Sequence, residues 1–127
     1  MANRYNVTFF EDQESEASFK IDDNALSIKN LEPAERVLVD SDNMAFIYLF
    51  DGEEGYTYFG FQKDTWPMLN MMIKNDKKVY ILDNENNKKE LIQLKEEMEY
   101  LIENINGNAN YGVDLVSAVE EVFFASA

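Results

Sequence analysis

The apolar residues of this chain change their period near Asp64, and that change limits the folds open to it. Upstream they alternate or run in strand-length stretches. Val7-Thr8-Phe9, Ser18-Phe19-Lys20-Ile21 and Leu26-Ser27-Ile28 alternate with period two, separated by the polar turns 11–16 and Asp22-Asp23-Asn24. That pattern predicts a meander with one wet face. Pro33 precedes a further strand candidate, Glu35-Arg36-Val37-Leu38-Val39, which ends in the turn Asp40-Ser41-Asp42-Asn43. Residues 44–50, Met-Ala-Phe-Ile-Tyr-Leu-Phe, are apolar on both faces, as a central strand requires. Asp51-Gly52-Glu53-Glu54-Gly55 predicts a hairpin loop, because glycine supplies the positive φ such loops need, and Tyr56–Phe61 is its returning strand.

Downstream the spacing becomes helical. Asp64-Thr65 followed by Trp66-Pro67 predicts an N-cap with a proline in the first turn, where its missing N–H costs nothing. Trp66, Leu69 and Ile73 share one face of that short helix. Val79–Leu82 is predicted as a last strand and residues 83–89 as a polar loop. Leu91, Leu94, Met98, Leu101 and Ile105 recur at three- and four-residue steps, an amphipathic helix that Gly107 is placed to end. Residues 106–110 are of the length that joins antiparallel helices, with Asn110 as a candidate N-cap. Leu115, Val116, Val119, Val122 and Phe123 form the apolar face of a final helix rich in weak helix formers, which therefore depends on packing.

Strands first and helices last predict one α+β domain over residues 1–127. Its expected form is an antiparallel sheet of about five to seven strands, covered on one face by a C-terminal helical hairpin, plus one short helix. Nine Phe, seven Tyr and one Trp suffice for a core, and the chain is long enough to bury roughly two-thirds of its unfolded surface.

Composition narrows the chemistry. There is no His and no Cys, so triads built on them, His-based zinc sites, disulfides and thiolate sites are excluded. No phosphate-cradling glycine motif occurs, and no cofactor is expected. The net charge is −14, with 25 Asp or Glu against 11 Lys or Arg. That charge repels nucleic acid and anionic lipid, so neither is an expected partner. The first six residues lack the apolar run of a signal peptide and no stretch is long enough to span a membrane, which together predict a cytoplasmic protein. The charge is unevenly spread. Residues 63–89 carry six bases and four acids, whereas residues 96–127 carry seven acids and no base.

Carboxylates are the chemistry that remains. Asp40 and Asp42, two apart in a turn, are the candidate ligands for a hard cation such as Mg²⁺ or Ca²⁺, with Asp51 as a third. Met44 and Ala45 break the calcium-loop pattern, and Asp and Asn side chains also bond their own backbone in turns. Trp66 is a candidate for ligand stacking or for core anchoring. Glu96, Glu99 and Glu103 fall on one line of the long helix, opposite its apolar stripe. Like charges so spaced cost a few tenths of a kcal/mol per pair, and the last lies near the helix end that disfavours anions. A basic protein partner would relieve that repulsion.

Three segments carry a resemblance: residues 37–46 (VLVDSDNMAF), 62–69 (QKDTWPML) and 105–112 (INGNANYG), with Val119-Glu120-Glu121-Val122-Phe123 following. Together they resemble the YjbL-like family of small acidic Firmicute proteins, one of the uncharacterised families. The resemblance covers about residues 36–124. It implies a bacterial cytoplasmic protein and brings no activity, cofactor or catalytic residue.

The functional expectation is a non-enzymatic module that offers an acidic surface to a basic protein. The alternatives are a metal-dependent enzyme or ion binder using Asp40 and Asp42, and a binder of a small ligand between the sheet and the helices. The oligomeric state is open between monomer and dimer: an exposed edge strand favours pairing, and the net charge opposes it at low salt.

Overall fold

A computed structural model describes residues 3–22 and 26–124. The strand that the sequence marks as apolar on both faces lies inside the sheet, with a neighbour on each side. Phe46, Tyr48 and Phe50 are fully buried in the main core, while Ala45, Ile47 and Leu49 are buried on the opposite face in a small second cluster with Ala34 and Tyr58. Period-two geometry sends alternate side chains of one strand to the two faces of the sheet.

The strands are β1 (Asn3–Asp12), β2 (Glu16–Ile21), β3 (Glu32–Asp40), β4 (Ala45–Gly52), β5 (Gly55–Gln62), β6 (Lys78–Leu82) and β7 (Lys88–Glu90). They form one seven-stranded sheet in the order β3-β4-β5-β1-β2-β6-β7. The helices are α1 (Trp66–Lys74), α2 (Leu94–Ile105) and α3 (Val113–Phe123), with short 3-10 helices at Lys63–Thr65 and Ala109–Tyr111. The fold is α+β, a strongly curled half-barrel sheet with three helices.

The sheet is mixed rather than antiparallel. The four sequential hairpin pairs are antiparallel, but β1 pairs with β5 and β2 with β6 in parallel. Turn signals in the sequence report only the local hairpins. The joints between hairpins are closed by distant segments, and nothing local fixes their direction. Two strand assignments also change. Leu26-Ser27-Ile28 is not a strand, although it alternates, because the Ile28 N–H is taken by the carboxylate of Asp83 at 2.9 Å. Lys88 and Lys89, expected as loop, pair with β6 together with Glu90. The Asp22-Asp23-Asn24 turn lies partly outside the described residues.

The hairpin at residues 51–55 forms as expected, with Gly52 opposite Gly55 and Gly55 at φ 117°. Gly107 ends α2 at φ 69°. α3 is capped by Gly112 rather than by Asn110, whose backbone N–H instead donates to the side chain of Asn108. Thr65 precedes α1, but its hydroxyl donates back to the Gln62 carbonyl at 2.7 Å rather than capping forward.

All three helices bury their apolar faces in the same core, on one side of the sheet. α2 lies against β3, and α3 packs against α1 as well as α2, so the cover is a three-helix layer rather than a hairpin plus a separate helix. Trp66 is its anchor. It is fully buried, its Nε1 donates to the Phe61 carbonyl at 2.9 Å, and its ring centroid lies 5.1 Å from Phe46 and 6.0 Å from Phe123.

Candidate functional site

α2 positions the first candidate. Leu94, Met98 and Ile105 bury its inner face, so a 3.6-residue repeat turns Glu96, Glu99 and Glu103 outward. All three are exposed, and among the described residues none takes part in a hydrogen bond or close ion pair. Lys95, the only base in the helix, turns instead to Asp76, its Nζ 2.9 Å from Oδ1. That hydrogen bond first, and the fields of Asp76, Glu99 and Glu96 after it, raise the lysine above its ordinary value. Tyr100 stands among the glutamates and is 68% exposed. It lies four residues after Glu96 and three before Glu103, a spacing that places all of them along one side of a helix. The sequence carried that signal at position 100, where an aromatic interrupts the acidic line.

One glutamate of this helix behaves differently. Glu97 accepts a hydrogen bond from the Val37 N–H at 3.1 Å. The register of β3 on β4 shifts between Pro33 and Val37, and Glu35 there adopts φ 61°. Glu97 thus supplies an acceptor where the strand ladder is interrupted, and fastens α2 to β3.

The Asp40–Asn43 turn is the second candidate. Asp40 Oδ1 accepts from the Asn43 backbone at 3.3 Å, and Oδ2 from Asn43 Nδ2 at 2.8 Å and Arg4 Nη1 at 2.5 Å. The Asn43 side chain, then Arg4, hold the Asp40 carboxyl below its ordinary value. Asp42 is exposed beside it. Asp51 does not join them. It pairs with Tyr56 at the far end of β4, while Asp40 pairs with Ala45, and six strand residues span about 20 Å. Among the described residues no three acidic side chains gather as a metal set would. Trp66 is also remote from solvent, so the three aspartates and the tryptophan do not form one concave site.

A buried carboxylate in the polar segment 83–89 is structural. Asp83 is 1% exposed and accepts from the backbone N–H of Ile28, Glu85 and Asn87 and from Asn87 Nδ2, each at 2.9 Å. Burial works to raise its pKa, but these hydrogen bonds prevail and hold it below the ordinary value of 3.8. Tyr48, on the inner face of β4, donates its hydroxyl to the Ile92 carbonyl at 2.6 Å, and burial pushes the phenol well up.

Comparison with known proteins assigns the lineage. A model of a family of unknown function, UPF0738, matches residues 5–123. The chain belongs to that family. A UPF0738 protein of Bacillus cytotoxicus is 40% identical over 123 residues, 97% of this chain and 99% of its own length, and one of Bacillus cereus strain G9842 matches equally well. A relative in Bacillus thuringiensis strain Al Hakam is 39% identical over the same span. The relatives are Firmicute proteins, while the YjbL-like label finds no support among them. No solved structure matches the chain. Among the described residues no helix is long and apolar enough to cross a membrane.

Proposed function

We propose that this member of the UPF0738 family is a cytoplasmic, non-enzymatic interaction module whose α2 helix docks a Lys- or Arg-rich segment of another protein. One observation carries this reading. Glu96, Glu99 and Glu103 stand exposed and, among the described residues, without hydrogen bonds around a 68% exposed Tyr100, on a helix whose only lysine turns away to Asp76. Exposed like charges on a helix repel, and a tyrosine presents a π face to which a cation is attracted. A basic segment satisfies both at once. The opposing surface needs only modest area, because complementary charge raises the association rate and gives specificity more than affinity.

The test uses the triple variant E96Q/E99Q/E103Q, which keeps shape and removes charge, together with Y100A. Proteins captured by wild type are identified, and their purified basic segments are titrated against wild type and variants at two salt concentrations. The expected result is a salt-sensitive complex weakened about tenfold or more by the triple variant. Equal capture and equal affinity would show that the glutamates serve hydration alone.

A further inference from the structure

The face of the sheet that no helix covers holds a second feature, independent of the acidic helix. The parallel pairing of β1 with β5 sets Arg4 beside Tyr58. Arg4 Nη1 is held by Asp40, and among the described residues nothing accepts from its Nε or Nη2. The guanidinium lies over Gly60. A Cβ at that position would stand 3.6 Å from Nε, 3.7 Å from Nη2 and 3.0 Å from Asn6 Oδ1, so the missing side chain makes room for it. Asp40 therefore orients the arginine while leaving donors that can take a carboxylate in two parallel bonds.

Beside this pair lies an open depression of about 470 Å³, floored by Leu38, Ile47 and Tyr58, within the size range of small-molecule sites. Leu38 is 40% exposed there, whereas Ile47 is 6% exposed. Asp42 stands on its rim with no hydrogen bond or ion pair to a described residue. The lining thus holds a cation, Arg4, paired with Asp40 at 2.5 Å, and a second carboxylate, Asp42, together with Leu38, Ile47 and Tyr58. A simple anion would meet Asp40, Asp42 and a net charge of −14. A simple amine would meet Arg4. A zwitterion meets complementary charge on both sides.

We propose that this depression binds an apolar α-amino acid, its carboxylate on Arg4, its ammonium at Asp40 and Asp42, and its side chain on Ile47, Leu38 and Tyr58. Binding needs no chemical step and no metal. The affinity expected for so small and open a contact is on the order of 1 mM.

Titration of the ¹⁵N-labelled protein with L-leucine and with L-phenylalanine, followed by backbone amide shifts, tests this directly. Saturable changes are expected at residues 38–42, 47 and 58. R4Q is expected to weaken binding about tenfold or more. So is replacing leucine by 4-methylpentanoate, which lacks the ammonium, or by isoamylamine, which lacks the carboxylate. G60A keeps every charged group but crowds Asn6 and Arg4, and should weaken binding severalfold with its melting curve as a check of folding. The triple glutamine variant in α2 should bind as wild type, which separates this inference from the interaction reading. Absence of saturable shifts up to about 20 mM, retention of affinity by a folded R4Q or G60A, or equal binding of either analogue would each overturn it.

Discussion

Asp83 and the Glu96–Glu99–Glu103 ridge are both carboxylate chemistry, yet the structure uses them in opposite ways. Asp83 is buried, and four N–H groups converge on it. The ridge is exposed and meets none among the described residues. A buried carboxylate is tolerable only when donors surround it, because desolvation otherwise costs more than the contact returns. An exposed one keeps its water and is free to meet something else. Burial and donor count, not acidity, divide the acids that hold this fold from those available to a partner.

The comparison breaks most readily at Asp83. D83A leaves the N–H groups of Ile28, Glu85 and Asn87 without their acceptor and should cost about 3 kcal/mol in urea unfolding. D83N, which keeps the shape and one acceptor, should cost about half that. If D83A melts as wild type, the donors find other partners and the contrast with the ridge fails.

Acid sharpens the same contrast. The folded pKa values of Asp83 and Asp40 lie below the ordinary 3.8. Their contribution to stability is therefore fully present above that value and is lost as pH falls through it toward the folded pKa. Melting temperature should drop as pH is lowered below about 4, and the drop should be shallower in D83N, where one of the two groups no longer titrates. An equally steep drop in D83N would assign acid sensitivity elsewhere.

Glu97 and its neighbours compare bonded and unbonded acids within one helix. E97A removes the acceptor of the Val37 N–H and should cost about 1 kcal/mol, while E97Q keeps an acceptor and should cost less. The smallest effect is at the ridge. E96Q/E99Q/E103Q should stabilise the protein by a few tenths of a kcal/mol per relieved pair at low salt, and the gain should vanish at high salt, where exposed charges are screened. Destabilisation by the triple variant would mean that the ridge supports the fold after all.

The local elements were legible because their signals are local. The 3-4 spacing from Leu91 to Ile105 marked the long helix, although α2 itself begins at Leu94. The apolar run 44–50 marked β4, a strand flanked on both sides, although the middle of the sheet is β1. The candidate sites were legible in part. Glu96, Glu99 and Glu103 follow from helical angles, and the same angles place Tyr100 among them, but its 68% exposure is visible only in the structure. Arg4 was not foreseen at all, since its place beside Asp40, thirty-six residues away, depends on the β1–β5 pairing. Lys88–Glu90 escaped notice because Lys-Lys-Glu has no apolar period, and it is a strand only through β6. Leu26–Ile28 has the period but no ladder partner among the described residues, and Asp83 takes the Ile28 N–H.

The sequence by itself determined which segments are amphipathic, where glycine must turn the chain, and which reactions its missing His and Cys forbid. Those properties reside in single residues and their near neighbours. Tertiary structure alone decided that two strand pairs run parallel, that Asp83 is a hub and Glu97 a clasp, and that Arg4 meets Asp40. Each of these joins residues far apart in the chain, and their pairing is set by how the whole core closes rather than by any local preference.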